Sequence, residues 1–124
     1  LKKEIMALER GNLSDVVLCG VGRTAALVTC ASNKKVYVKS IIAHAPEPVG
    51  VNSATAHIYY VPNNGGSVGT ASSINRIASL IVYAEETVMF EPSYPLVLTA
   101  TNDTIQVGAA STSCNFLASG DKES

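Results

Sequence analysis

Short apolar and β-branched runs recur along this chain, roughly every ten residues, each closed by glycine, proline, asparagine or a polar turn. That rhythm constrains the fold more than any other feature. Val16-Val17-Leu18-Cys19 stops at Gly20-Val21-Gly22, and Thr24 to Cys30 stops at Ser32-Asn33-Lys34. Lys35 to Ile42 is the strongest strand, because its lysines alternate with valine and share a face with Tyr37. Ala45 to Gly50 holds two prolines, which a central strand does not tolerate, and reads as a loop. In the run Ala54 to Val61, Ala54, Ala56, Ile58 and Tyr60 face one way, and Thr55, His57 and Tyr59 the other.

The later runs follow the same pattern. Pro62 to Ser73 is the longest loop, carrying Asn63-Asn64-Gly65-Gly66 and Gly69. Ile74 to Tyr83 suits a short helix or a strand, and the strand is preferred. Strands follow at Thr87–Phe90, Leu96–Leu98, Thr104–Val107 and Cys114–Ala118. No pattern is long enough for the crossover helix of a parallel sheet. The expected fold is an all-β, single-domain antiparallel β-sandwich over residues 14–119, jelly-roll-like, with about eight strands. Residues 1–13 read as an arm with a short helical turn over 2–10, and residues 120–124 as a polar tail.

Composition then narrows function. The chain has 124 residues, is 47% hydrophobic and carries a net charge of −1, so it lacks the basic excess that phosphate backbones select. No membrane span or secretory leader is legible, and the expected site of synthesis is a cytosol. Cys19, Cys30 and Cys114 have no metal spacing and are expected to be small buried hydrophobes. The sequons at Asn12 and Asn102 are read as accidents of a Ser/Thr-rich chain.

Few motifs suggest chemistry. Gly20-Val21-Gly22-Arg23-Thr24-Ala25 fits a dinucleotide fingerprint, but a turn and a strand follow it where the fingerprint needs a helix. A Gly-rich hairpin turn is the expectation, with no cofactor. His44 and His57 accompany no nucleophile elbow, and Cys30 with His44 is weak as a thiol–imidazole pair. The acidic residues form no paired catalytic site and no Ca²⁺ loop. Tyr37, Tyr59, Tyr60, Tyr83 and Tyr94 suit either core and subunit contact or a sugar-stacking platform. Neither an enzyme nor a metal site is expected.

One resemblance spans residues 20–119. Thr24 to Thr29, then Asn33-Lys34-Lys35-Val36-Tyr37-Val38-Lys39-Ser40-Ile41, resembles a segment of small virion structural proteins of tailed bacteriophages. Ile58-Tyr59-Tyr60-Val61-Pro62, Asn75-Arg76-Ile77 and Asn102-Asp103-Thr104-Ile105 are similar to later motifs of that group, in the same order. Asn102 replaces a glycine there and tolerates the same positive φ. The resemblance implies a non-enzymatic virion protein, a capsid decoration (cement) protein, with cyanophage a plausible source. The partners implied are the major capsid protein and further copies of itself as a homotrimer. The alternative is a tail, neck or fibre component, including a receptor- or glycan-binding module. Expected contact elements are residues 1–13, the Pro46–Gly50 loop and the Asn63–Ser73 loop. The expected interaction residues are Leu8, Pro46, Pro48, Tyr59, Asn63, Asn64 and Tyr94.

Overall fold

The computed structural model describes residues 8–46 and 53–123. Ten strands follow in chain order: β1 (Leu8–Asn12), β2 (Val17–Cys19), β3 (Thr24–Thr29), β4 (Lys35–His44), β5 (Ser53–Val61), β6 (Arg76–Tyr83), β7 (Thr87–Phe90), β8 (Leu96–Leu98), β9 (Thr104–Ala110) and β10 (Cys114–Glu123). Among the described residues there is no α-helix, only a turn of 3₁₀ helix at Ser73–Asn75. Two antiparallel sheets pack face to face. The first has six strands in the order β1-β10-β4-β7, with β2 also on β10 and β8 also on β4. The second has four, in the order β3-β9-β5-β6.

β1 and β2 lie one after the other along β10, and β7 and β8 do the same along β4. Counted as single interrupted strands, they leave four strands per sheet in the expected jelly-roll order. The core is built from alternate residues of both inner faces. β4 contributes Val36, Val38, Ile41 and Ala43; β5 contributes Ala54, Ala56 and Ile58; β9 contributes Ile105 and Val107; β10 contributes Phe116. Cys19, Cys30 and Cys114 are free thiols buried in this core, as their spacing suggested. Tyr60 packs against it from β5 and donates its phenol to the Val97 carbonyl at 2.5 Å.

The turns follow local chemistry. Asn33 and Asn102 hold φ of 60° and 69°, the left-handed region that asparagine tolerates better than most residues.

Three expectations need correction. Residues 8–12 of the presumed arm form β1, paired from Leu8↔Glu123 to Asn12↔Ser119, so Leu8 to Arg10 are extended rather than helical. Residues 1–7 lie outside the described residues. Residues 120–123 of the presumed polar tail complete β10, which pairs on both sides. In both cases, sheet pairing outweighs a weak local preference. The Gly20–Gly22 segment makes no hairpin, because β2 belongs to the first sheet and β3 to the second. It carries the chain from one layer to the other, with Gly22 at φ 74° and its N–H donated to the Ala109 carbonyl.

Candidate functional site

The outer face of the six-stranded sheet carries both ion pairs found among the described residues. Its geometry starts from a register shift. β10 and β4 are in step from Asn115↔His44 to Ser119↔Ser40, then resume at Gly120↔Val38. Lys39 is the extra residue of that bulge. A bulge bends the strand and re-aims one side chain. Gly120 is required opposite it, because a Cβ there would collide with the Tyr37 carbonyl oxygen and lie 3.0 Å from the Lys39 nitrogen.

Lys39 Nζ lies 2.8 Å from Asp121 Oδ2, and Arg10 Nε, from β1, lies 3.7 Å from Asp121 Oδ1. The Asp121 side chain is almost fully covered although it is on an outer face. Next to it, Tyr37 donates to Glu123 Oε1 at 2.5 Å. That hydrogen bond, then burial, then the Glu123 charge push the phenol above its ordinary range.

Two open clefts meet at Lys39. One, of about 570 Å³, is lined by Lys39, Glu91, Pro92, Ser93 and Pro95. It exists because the edge strand breaks between β7 and β8, and residues 91–95 loop out at the level of the bulge. The other, of about 380 Å³, runs between Lys39, Asp121, Ser119 and the β1 residues Arg10 and Asn12. Both are shallow. They offer an ammonium, a carboxylate and hydroxyls to a polar partner.

The expected interaction residues do not gather there or anywhere else. Tyr94, 84% exposed, stands in the 91–95 loop beside the larger cleft. Tyr59 is only 7% exposed, so it cannot serve as a sugar platform. Its ring covers the outer face of β9 at Gly108, where a Cβ would sit 3.3 Å from Tyr59 Cε1. Asn63 is structural: its backbone N–H and its Nδ2 both donate to Asp103 Oδ1, at 2.8 and 3.1 Å. Asn64 closes a local turn with Ser67. Pro46 is half-buried, just past the end of β4, and Pro48 lies outside the described residues. Leu8 opens β1 opposite Glu123. The Pro46 and Asn63–Ser73 segments precede and follow the nine residues of β5, so they sit at opposite ends of the sandwich.

The loop after β5 folds back over the second sheet. Gln106 Nε2 donates to the Gly69 carbonyl at 2.9 Å and to Thr104 Oγ1 at 3.0 Å, so β9 is buried on both faces. Asp103, also buried, takes N–H donors from Asn63 and Ala100. Burial alone would raise its pKa, but hydrogen bonds from the Asn63 and Ala100 backbones, the Asn63 side chain and the Thr99 backbone hold it below the ordinary value.

The histidines are tied to neighbours. His44 Nδ1 is 2.8 Å from Thr87 Oγ1, and His57 Nδ1 is 2.9 Å from Ser79 Oγ. Burial, and then the Arg76 charge, lower the His57 pKa. Cys30 does not meet His44, because its thiol points to the Lys34 and Leu98 carbonyls. Strand β3 begins inside the GxGxxA segment, at Thr24. Among the described residues, no three His, Cys, Asp or Glu side chains gather as a metal ion requires.

Sequence reasoning missed Lys39, Asp121 and Arg10 as a group. The available signal was Ser119-Gly120-Asp121, a small–Gly–acid step at the end of an alternating run. No family model matches this chain, and no curated protein is significantly similar to it.

Proposed function

We propose that this chain is a non-enzymatic structural subunit of a tailed-phage particle, a decoration protein that binds the outer surface of the head and stabilises it. The observation supporting this reading is the apolar surface at β2 and the crossover after it. Val16, Leu18 and Val21 all face solvent there, each more than half exposed. Water penalises exposed aliphatic side chains, and a partner protein that covers them removes the penalty. The order of the motifs shared with small virion proteins supports the same reading.

The test is co-sedimentation of the purified chain with phage capsids stripped of accessory proteins. Bound copies should saturate in fixed proportion to the major capsid protein, and Val16→Lys with Leu18→Lys should abolish binding. Decorated capsids should also outlast bare ones on heating. Binding of a few copies per particle, or none, overturns decoration and favours a tail or neck position.

Tyr94 favours a second reading. An exposed aromatic side chain in the same loop as the cleft residues Glu91 and Ser93 has the components of a glycan contact. A glycan array probed with the wild type and with Tyr94→Ala tests it. Hits lost in the variant support a receptor-binding module, and an array without hits removes it.

A further inference from the structure

The free edge of the four-stranded sheet differs from the others. β6 pairs with β5 from Ser53↔Tyr83 to Tyr59↔Arg76, and among the described residues nothing pairs with its other side. An open edge is a template for another strand, and proteins usually block it with charge, proline, bulges or short length. The other edges here carry such blocks. β1 bears Glu9 and Arg10, and β3 is bulged between Ala26 and Val28. β7 and β8 are short and are separated by a loop containing Pro92 and Pro95. β6 runs for eight residues as Arg-Ile-Ala-Ser-Leu-Ile-Val-Tyr, with one charge at its first position and a bulge only at that end. Ile81 and Tyr83 remain 60% and 57% exposed on its outer face.

The geometry points to a second copy of this chain as the occupant, added antiparallel, β6 to β6, across a two-fold axis near Leu80. Backbone direction supports it. The Tyr83 N–H donates to Glu86 Oε1, and its carbonyl accepts from the Glu86 N–H. Neither is used on β5, so Tyr83 is turned away from that strand. Antiparallel ladders alternate, which turns the N–H and C=O of Ile81 and Ser79 to the same open side. A two-fold axis at Leu80 sets Ser79 of each copy against Ile81 of the other, and each such pair exchanges both main-chain hydrogen bonds. On the outer face, Tyr83 comes opposite Ile77, an aromatic–aliphatic cross-strand pair.

Charge selects the same arrangement. Antiparallel pairing carries Arg76, at the start of β6, to the Glu85-Glu86 turn that follows β6 in the other copy. Both glutamates are exposed. Symmetry repeats this opposite-charge contact at the other end of the seam. The result is an eight-stranded sheet shared by two copies. It goes beyond the decoration reading and does not depend on it.

Sedimentation velocity of the full chain, beside Ile81→Lys, tests the proposal. The wild type should sediment at about twice the mass of the variant. Arg76→Glu should weaken the pair by roughly three- to tenfold, and adding Glu85→Arg should restore it. Amide exchange at Ser79 and Ile81 should slow as wild-type concentration rises. Equal masses for wild type and Ile81→Lys overturn the proposal. So does a pair whose Ser79 and Ile81 amides gain no protection, which would place the contact elsewhere.

Discussion

Asp121 and Asp103 are equally buried carboxylates held in opposite ways. Asp121, on the six-stranded sheet, is neutralised by the cations Lys39 and Arg10, brought from β4 and β1. Asp103, at the end of the four-stranded sheet, is held by N–H dipoles from Asn63 and Ala100. The first arrangement faces a cleft, and its cations are exposed enough to exchange partners. The second fastens a turn to the loop after β5. One carboxylate therefore belongs to a surface that can meet another molecule, and the other to the framework.

The largest test of that contrast removes the bulge beneath Asp121. Gly120→Ala forces a Cβ into the Tyr37 carbonyl, with backbone on both sides and no side chain to yield. We expect a loss of about 4 kcal/mol or failure to fold, read from urea unfolding. Gly108→Ala, whose Cβ would lie 3.3 Å from both the Arg23 carbonyl oxygen and the Tyr59 ring, should cost about 1–2 kcal/mol, because neither contact is a collision and the ring can shift.

Asp103→Asn comes next. The amide turns one accepting oxygen into a donor facing N–H groups, and a loss of about 2–3 kcal/mol should appear in the same measurement. Its pH dependence has a definite sign. The folded-state pKa lies below the ordinary value of 3.8, so the stabilisation is present above that value. It is lost as pH falls through the folded pKa, and acid unfolding of Asp103→Asn should lack this component.

The thiols set the alkaline side. Burial, and then the Cys19 charge, push Cys114 from 9.0 to about 11. A raised pKa means stability fully present below 9 and lost as pH rises through 11. A decline on the order of 2 kcal/mol across that window should appear in thermal melts and shrink in Cys114→Ala, measured against that variant's own baseline.

Asp121→Asn should have the smallest effect, about 1 kcal/mol or less, since Lys39 is half exposed and returns to water. Added salt should weaken the wild type slightly and leave this variant unchanged, whereas Asp103 should not respond to salt. A cost for Asp121→Asn that equals that of Asp103→Asn would erase the difference between the two carboxylates.

Much of the sandwich was legible because its signals are local. The alternation in Lys35–Lys39 and Ala54–Val61 marks β4 and β5 and assigns their faces, but the bulge at Lys39 reverses it, so Ile41 is buried and Ile42 is only half-buried. The asparagine turns at Asn33 and Asn102 have the backbone that their chemistry suggests. The site was not legible, because its determinants are distant in sequence. Asp121 reads as a tail residue until Arg10 and Lys39 arrive from other strands. Tyr59 reads as an exposed aromatic until the bare surface of Gly108 makes room for its ring. Residues 8–10 carry helix-forming side chains, and only the partner strand makes them extended.

The place of β10 in the first sheet has a consequence for the order of events during synthesis. Among the described strands it comes last, yet it lies inside the sheet, joined to β1, β2 and β4. The four-stranded sheet is complete in sequence by Ala110. A ribosome therefore releases every strand of one layer while the other still lacks its centre. Until residues 114–123 emerge, β1 and β2 have no ladder to join, and the inner face of the finished layer stays uncovered. A pause in translation before residues 114–123 emerge would hold the nascent chain in this half-closed form, the stage at which chaperone capture and misassociation compete with folding.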